Sequence, residues 1–293
     1  MKRIGYLTLL FTALSWTTLL SGRGPAEGSA SRSADPAADF PRGADPAVHL
    51  STASDPTADS LVSRWIEALG GMDTYARLRS ARYTLTTEIW DAASGRLRRA
   101  RPRYVAIQRT PRGDLARIER WEGNDFIQHG WDGERAWAFM NGKPLGPGDK
   151  DYDQVRYVTG DVNYWIGLPF KLKDPGVNLH LGGTDEGRTL VTVSFGEGVG
   201  LHDGDTWRYW FEEGRTWPVQ VAYREEGRSN WNVLRFEDIR TVDGYVFVGR
   251  RVHIDEEGRV TKVLRTSDFE LNPEFPEGYF SGPEVDYLAS TGG

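Results

Sequence analysis

The sequence predicts a single, mainly antiparallel β domain with a few helices (α+β class), spanning residues 59–293. Short runs of alternating apolar residues follow one another from about residue 83, turn-forming residues separate these runs, and helical spacing appears at two places. We expect about 11–12 strands in one sheet, with helices packed against one face. About 235 residues are enough for one ample hydrophobic core without disulfides.

Residues 1–22 are predicted to be a signal peptide. Lys2 and Arg3 precede an uncharged, mostly apolar run from Ile4 to Leu20, which is typical of an export signal and short for a permanent anchor. The stretch Leu19-Leu20-Ser21-Gly22-Arg23 resembles a lipoprotein signal, but the chain has no Cys to carry the lipid. We therefore expect an exported, periplasmic protein without a lipid anchor.

Residues 23–58 are predicted to form a disordered linker. They are mostly small or polar, and Asp-Pro recurs at Asp35-Pro36, Asp45-Pro46 and Asp55-Pro56. Because the stretch has so few large apolar side chains, burial cannot offset the entropy lost on ordering it.

Two helical patterns frame the first half of the body. The first begins at Asp59 or Ser60 as the N-cap, places Leu61, Val62, Trp65, Ile66 and Leu69 on one face, and ends at Gly70-Gly71. The second covers Asp149 to Ile166 and ends at Gly167-Leu168-Pro169-Phe170. Between and after these helices the sequence predicts hairpins, with turns such as Asp132-Gly133 and Asp243-Gly244.

Two stretches of the body resemble a known group of proteins. Tyr164 to Val177 (YWIGLPFKLKDPGV) and Phe236 to Tyr245 (FEDIRTVDGY) are similar to an uncharacterised branch of the LolA/LolB-like superfamily of bacterial envelope proteins. The resemblance covers most of residues 59–280. It implies a curved half-barrel sheet whose concave side is covered by helices over a hydrophobic cavity, which in the lipoprotein carriers holds acyl chains.

Aromatic side chains are the main candidates for ligand contacts. Residues two apart on a strand point the same way, so Trp137 and Phe139 share one face, as do Trp207, Tyr209 and Phe211. Such stripes favour either an ordinary core or a cavity for an apolar ligand. The predicted ligand-binding residues are Trp131, Trp137, Phe139, Trp165, Leu168, Phe170, Tyr209 and Phe211.

Charge and motifs exclude several classes of function. A net charge of −6 argues against binding nucleic acid. Hydrolase, nucleotide-binding and zinc-protease signatures are absent, so no catalytic residue, cofactor or metal site is predicted. Asp149, Asp151 and Asp153 match the first positions of a calcium loop, but Gln154 and Gly160 break its pattern, which favours helix capping.

The sequence thus predicts a monomeric, non-catalytic envelope protein that binds or carries a lipid or another apolar small molecule. The alternatives left open are a structural or sensory module with a protein partner in the envelope, a secreted hydrolase of unrecognised type, and a Trp-rich sugar-binding face. The arginine-rich stretch from Arg96 to Arg101 fits either docking to anionic headgroups or a solvated hairpin edge that discourages strand addition.

Overall fold

A computed structural model describes residues 54–185, 187–199 and 204–282. The expected signal peptide and all but the last few residues of the expected linker lie outside this part of the chain, so both stay predictions. The described residues belong to one compact unit. Within them, no helix is long and apolar enough to cross a membrane.

The first helix begins earlier than the sequence pattern predicts. Its N-cap is Asp55 rather than Asp59 or Ser60, because the Asp55 carboxylate accepts hydrogen bonds from the backbone N–H groups of Thr57 and Ala58, and Pro56 occupies the first helical position. The helices are α1 (Pro56–Ala68), α2 (Gly71–Arg77), α3 (Lys150–Asp153) and α4 (Val155–Gly167), and a 3-10 turn spans Phe170–Lys173.

All strands of the described residues join one antiparallel sheet that curves without closing into a barrel, which confirms the predicted fold class. It has 13 strands rather than 11–12, since the two-residue β6 extends one edge. The strands are β1 (Ser80–Asp91), β2 (Arg96–Thr110), β3 (Gly113–Glu122), β4 (Asp125–Trp131), β5 (Ala136–Met140), β6 (Lys143–Pro144), β7 (Val177–Asp185), β8 (Arg188–Phe195), β9 (Thr206–Glu212), β10 (Gln220–Arg224), β11 (Asn232–Val242), β12 (Tyr245–Ile254) and β13 (Val260–Leu271).

The strand order explains how the helices reach the sheet. It runs β6-β5-β4-β3-β2-β1-β13-β12-β11-β10-β9-β8-β7, so the chain meanders from β1 out to one edge and later returns from the other edge to β1. The segment that connects β6 with β7 must therefore travel between the two edges. This segment holds α3, α4 and the 3-10 turn, which places α4 across one face of the sheet.

The face covered by α1 and α4, called the helix face below, carries the main core. Val62, Trp65 and Ile66 of α1 and Val162 and Ile166 of α4 are buried against inward side chains of both halves of the sheet. The apolar stripe that the sequence predicts for the first helix is confirmed by this burial. Burying each large apolar side chain contributes about 1.5–3 kcal/mol to folding.

The opposite face, called the outer face below, is partly covered by the segment after β13. Phe275, Tyr279 and Phe280 stack on one another and pack over Ala106. The indole N–H of Trp137 donates to the carbonyl oxygen of Phe280 at 2.7 Å. This C-terminal strap (residues 272–282) is not predicted by the sequence pattern, because it has neither helical nor strand periodicity.

The arginine-rich stretch forms the exposed start of β2, in the hairpin with β1. Two of its side chains approach Glu122, with Arg101 at 3.3 Å and Arg99 at 4.0 Å. Arg98 pairs with Asp91. Exposed pairs of this kind stabilise a fold by about 0–1 kcal/mol each, which agrees with a solvated hairpin.

Candidate functional site

A pocket of about 400 Å³ lies beside α4, between the two halves of the sheet. Gly113, Asp114 and Trp131 come from the half that contains β3 and β4, whereas Val177 and Phe195 come from β7 and β8. Residues of α4 complete the lining, namely Arg156, Thr159, Gly160, Asn163 and Tyr164. The pocket exists because the open sheet brings these two halves to opposite sides of one helix.

Trp131 and Arg156 form the most distinctive contact of this pocket. The guanidinium carbon of Arg156 lies 3.6 Å from the centroid of the Trp131 ring, in a cation–π arrangement. Arg156 makes no ion pair with another described residue. Arg156 is an exposed residue, and the partial burial of its guanidinium lowers its pKa because no carboxylate compensates the loss of water. The side chain therefore presents a positive charge to any molecule in the pocket.

A second cation of the pocket is already neutralised. The ammonium of Lys171 lies 3.1 Å from a carboxylate oxygen of Asp114 and 4.0 Å from one of Asp174. Burial raises the pKa of the Asp174 carboxyl. This cluster gives the pocket a polar rim, and it leaves two lining cations, Arg112 and Arg156, without a carboxylate partner among the described residues.

Asn163 supplies a buried polar group to the lining. Its side chain is 7% exposed, and its amide nitrogen donates to the backbone carbonyl oxygen of Thr159 at 3.0 Å. The amide oxygen has no hydrogen-bond partner among the described residues. A buried polar atom left without a partner is unfavourable, which is a common property of groups that serve a ligand or a water molecule.

The predicted ligand-binding residues divide between the two faces of the sheet. Trp131 lines the pocket. Trp165, Leu168, Phe170, Tyr209 and Phe211 lie on the helix face, within or packed against the main core. Trp137 and Phe139 lie on the outer face, because they pair with Gly130 and Gln128 on the side where the C-terminal strap packs. The eight residues therefore do not line a single cavity.

The interior beneath α1 is filled by protein side chains. The ring of Trp65 lies 5.6 Å from that of Tyr209, 6.1 Å from Phe211 and 6.0 Å from Phe236. The free space beside Trp65 and Trp165 is about 20 Å³, which is room for roughly one water molecule. An acyl chain does not fit among these side chains in this conformation.

The sequence contains only a weak indication of the pocket residues on α4, which our sequence analysis did not predict. Arg156, Thr159, Gly160 and Asn163 follow one another at spacings of three, one and three, so they form a polar stripe on α4 beside its apolar one. Such a stripe normally indicates a solvated helix face. Its role as a pocket wall depends on β3, β4, β7 and β8, which are distant in sequence.

Two histidines bear on the hydrolase alternative. His129 is buried with Nε2 3.5 Å from a carboxylate oxygen of Asp151, and Arg120 pairs with the same carboxylate. Burial lowers the pKa of His129, but no hydroxyl among the described residues donates to it. His180 Nε2 lies 3.2 Å from the hydroxyl oxygen of Ser194. No described carboxylate hydrogen-bonds to its ring, and Asp55 acts on it only at longer range. Neither histidine lines the two cavities described above.

The three carboxylates of the calcium-like stretch point to separate partners. Asp149 accepts from the N–H of Gly146 at 2.9 Å, and Asp153 accepts from the N–H of Gly148 at 3.1 Å. Asp151 pairs with Arg120 and His129 instead. Within the described part of the chain, no group of three or more His, Asp or Glu side chains is arranged to hold a metal ion.

Comparison with known proteins shows a shared fold. No family model and no curated protein matches the chain by sequence. The structure is similar to that of a DUF1329 family protein from Desulfovibrio piger ATCC 29098, with a TM-score of 0.51, 10% identity, and coverage of 80% of this chain and 99% of that chain. It also matches a LolA superfamily protein from Nitrosomonas europaea at a TM-score of 0.47 and 12% identity, covering 78% of this chain and 99% of that one. At these identities the likeness concerns the fold alone.

Proposed function

We propose that this protein is a non-catalytic binding protein of the bacterial envelope that holds a small amphiphilic molecule in the pocket beside α4. The observation that carries the proposal is the pocket itself, whose about 400 Å³ fall within the usual range of about 300–1,000 Å³ for small-molecule sites. Its lining combines aromatic surface with a cation that has no carboxylate partner among the described residues.

The lining defines the chemistry of the ligand. Trp131, Tyr164 and Phe195 offer flat apolar surface, so we expect an apolar body on the ligand. Arg156 offers a guanidinium stacked on Trp131, which suits a carboxylate, sulfonate or phosphate group. The ligand thus has an apolar part and one anionic group, a description that includes lipids and other amphiphiles.

Carrying a whole acyl chain requires movement of the helices. Each methylene group that leaves water contributes about 0.8 kcal/mol, so a long chain could offset the displacement of core side chains such as Trp65 or Phe170. In that version of the proposal the predicted residues of the helix face would contact the chain after α4 shifts. A short amphiphile needs no such movement, because the pocket is already open.

The proposal also covers the cellular location and the oligomeric state of the protein. Residues 1–22 have the pattern of an export signal, and the chain has no Cys for a lipid anchor, so we place the protein in the periplasm as a monomer. Fractionation of cells and light scattering of the purified chain measure these two points directly.

A second candidate function is favoured by the filled interior. Because Trp65 and its aromatic neighbours leave about 20 Å³ free, the core is packed without a ligand, which suits a structural or sensory module with an envelope protein as partner. Crosslinking in cells should then trap one dominant protein.

The binding proposal is tested with a dansyl-labelled fatty acid and with native mass spectrometry of the protein purified from its own envelope. Trp131→Ala and Arg156→Gln are expected to weaken probe binding by about tenfold each, since each removes a principal contact. Trp121→Ala is the matched control, because Trp121 is 56% exposed and does not line the pocket. A clean apo mass together with no probe uptake by the unaltered protein would reject the proposal, and equal weakening by the control would also reject it.

A further inference from the structure

A second group of polar side chains lies on the helix face, on the other side of α4 from the pocket. Asp161 and Trp165 of α4 point about 140–180° around the helix axis from Arg156, at 100° per residue. Trp165 stacks under Arg251 of β12, whose guanidinium carbon is 4.3 Å from the centroid of the indole ring. The inference drawn from this polar group does not rest on the ligand proposed for the pocket.

Three cations share this part of the sheet. Arg251 and Lys262 belong to the adjacent strands β12 and β13, and Lys262 faces His253, the inward residue next to Arg251. Arg103 of β2 faces Leu85, a buried residue of the same core. Strand register therefore places all three side chains on the helix face. Burial lowers the pKa of Lys262, and the charges of Arg251 and Arg103 lower it further.

None of the three cations is paired within the described part of the chain. Arg103, Arg251 and Lys262 make no ion pair with any described carboxylate. The carboxylate of Asp161 acts on all three at longer range, but it accepts a hydrogen bond from the indole N–H of Trp165 at 2.8 Å. The carboxylate of Glu225 also acts on Lys262, so three cations face two carboxylates and the positive charge is in excess.

Arg251 is the least compensated of the three. It is 5% exposed, and its Nη1 atom is buried without a hydrogen-bond partner among the described residues. Burial lowers the pKa of Arg251, yet an arginine stays protonated in proteins, so the charge persists. Buried charges in folded proteins are normally paired, so Arg251 lacks a partner that a bound anion would supply.

The outer face of the same strands provides an internal comparison. Arg250, the neighbour of Arg251 in sequence, pairs with Glu237 at 2.8 Å, and Arg265 pairs with Glu88 at 2.9 Å. Cations on that face are thus matched by carboxylates on adjacent strands. The unmatched cations belong to the helix face, so the imbalance is local and is not a property of arginine-rich strands in general.

We propose that Arg251, Arg103 and Lys262 form a binding site for an oxyanion group, such as a phosphate, on the helix face next to Trp165. Arg251 presents Nη1 at the base of the site, beside a free space of only about 20 Å³. A phosphate therefore enters when the partly exposed side chains of Arg103 and Lys262 move apart on the solvent side. The site accepts a free phosphate or the phosphate of an amphiphile, since both offer the same oxygens to guanidinium and ammonium groups.

The test is calorimetric titration of the full chain with inorganic phosphate and, separately, with dodecyl phosphate below its critical micelle concentration. Sodium chloride at equal ionic strength gives the background. Arg251→Met and Lys262→Met are expected to weaken phosphate binding by about tenfold or more, because each removes a charge-assisted contact. Arg250→Met, the control on the outer face, is expected to change the affinity by less than about twofold. Tighter binding of dodecyl phosphate than of phosphate would assign the anion to an amphiphile, and equal binding would assign it to a free ion.

Three results would overturn the proposal. These are no heat from either phosphate beyond that of chloride, unchanged affinity in Arg251→Met, or equal weakening by Arg250→Met. If Arg251→Met does not fold, Lys262→Met decides, because the Lys262 side chain is partly exposed and carries little of the core. Dansyl fatty acid binding at Trp131 is measured in parallel, so that loss of the pocket and loss of this site are told apart.

Discussion

Arg117 and Tyr279 are joined twice across the outer face. Nη1 of Arg117 donates to the carbonyl oxygen of Tyr279 at 3.0 Å, and the guanidinium carbon lies 4.7 Å from the centroid of the Tyr279 ring. Arg117 also pairs with Glu119 at 2.6 Å, and both side chains are almost fully buried. The C-terminal strap is therefore attached to β3 through one buried arginine.

Replacement of that arginine is expected to be severe. Arg117→Met leaves the Glu119 carboxylate buried without its cation and releases the carbonyl oxygens of Tyr279 and Gly282, which both accept from Arg117. We therefore expect a loss of about 3–5 kcal/mol in the free energy of unfolding. Urea denaturation measures it. Arg98→Met is the matched control, because the Arg98 side chain is 67% exposed and its pair with Asp91 contributes about 0–1 kcal/mol. Equal midpoints for the two variants would contradict this account of the strap.

The filled interior predicts a large effect of shortening Trp65. Trp65→Ala removes the ring that contacts Tyr209, Phe211 and Phe236, and the cavity left behind should lower the free energy of unfolding by about 3–5 kcal/mol. The variant should also bind an apolar dye that the unaltered protein excludes from its core. Trp121→Ala should change stability by about 0.5 kcal/mol or less, since that ring is exposed. A Trp65→Ala variant as stable as the control would show that the interior is not packed as described.

The start of α1 provides a test of the N-cap. Asp55→Ala removes the carboxylate that accepts from the N–H groups of Thr57 and Ala58, and we expect a loss of about 1 kcal/mol in the free energy of unfolding. Ser60→Ala alters one of the caps that the sequence pattern predicts, and it should change stability by less than about 0.5 kcal/mol, because Ser60 is an exposed residue inside the helix. If Ser60→Ala lowered the stability more than Asp55→Ala, the N-cap would lie at Ser60, as the sequence pattern predicts.

The cap also shows why the sequence predicts some features and misses others. The strands were predictable because inward and outward residues alternate, as in Trp207, Tyr209 and Phe211 of β9, which are all buried. Asp55-Pro56 was assigned to the linker because it repeats two earlier Asp-Pro pairs, although Asp-Pro is also a good helix start. Because an Asp-Pro pair occurs both in disordered linkers and at helix starts, the pair alone does not distinguish the two.

Local sequence patterns do not predict features that depend on contacts between residues far apart in the sequence. Trp137 was expected near the other aromatic residues, but strand register places it under the C-terminal strap, against Gly130, where an added Cβ would lie 1.9 Å from the indole ring. The pocket joins Trp131 to Arg156 and to Phe195, and no periodicity links these positions. The sequence thus predicted the class of fold, whereas the site depends on which strand edges meet α4.

The buried side chain of His253 makes the stability of the fold depend on pH. His253 is 4% exposed, and burial, followed by the charges of Lys262 and Arg251, lowers its pKa to about 2. The unfolded chain binds a proton at His253 near pH 6.5, whereas the folded chain does not, so stability is fully present above that pH and falls as the pH decreases from there towards 2. From pH 7 to pH 5 this group alone should remove about 2 kcal/mol from the free energy of unfolding.

His253→Gln isolates this contribution. The variant should lose about 2 kcal/mol less than the unaltered protein between pH 7 and pH 5, as measured by urea denaturation at the two pH values. Some loss should remain, because burial also lowers the pKa of His129, which titrates in the same direction. Asp151 does not contribute in this window, since its lowered pKa removes stability below about pH 4. Identical losses in both proteins would mean that His253 takes up its proton in the folded state, and hence that water or an anion reaches it beside Arg251.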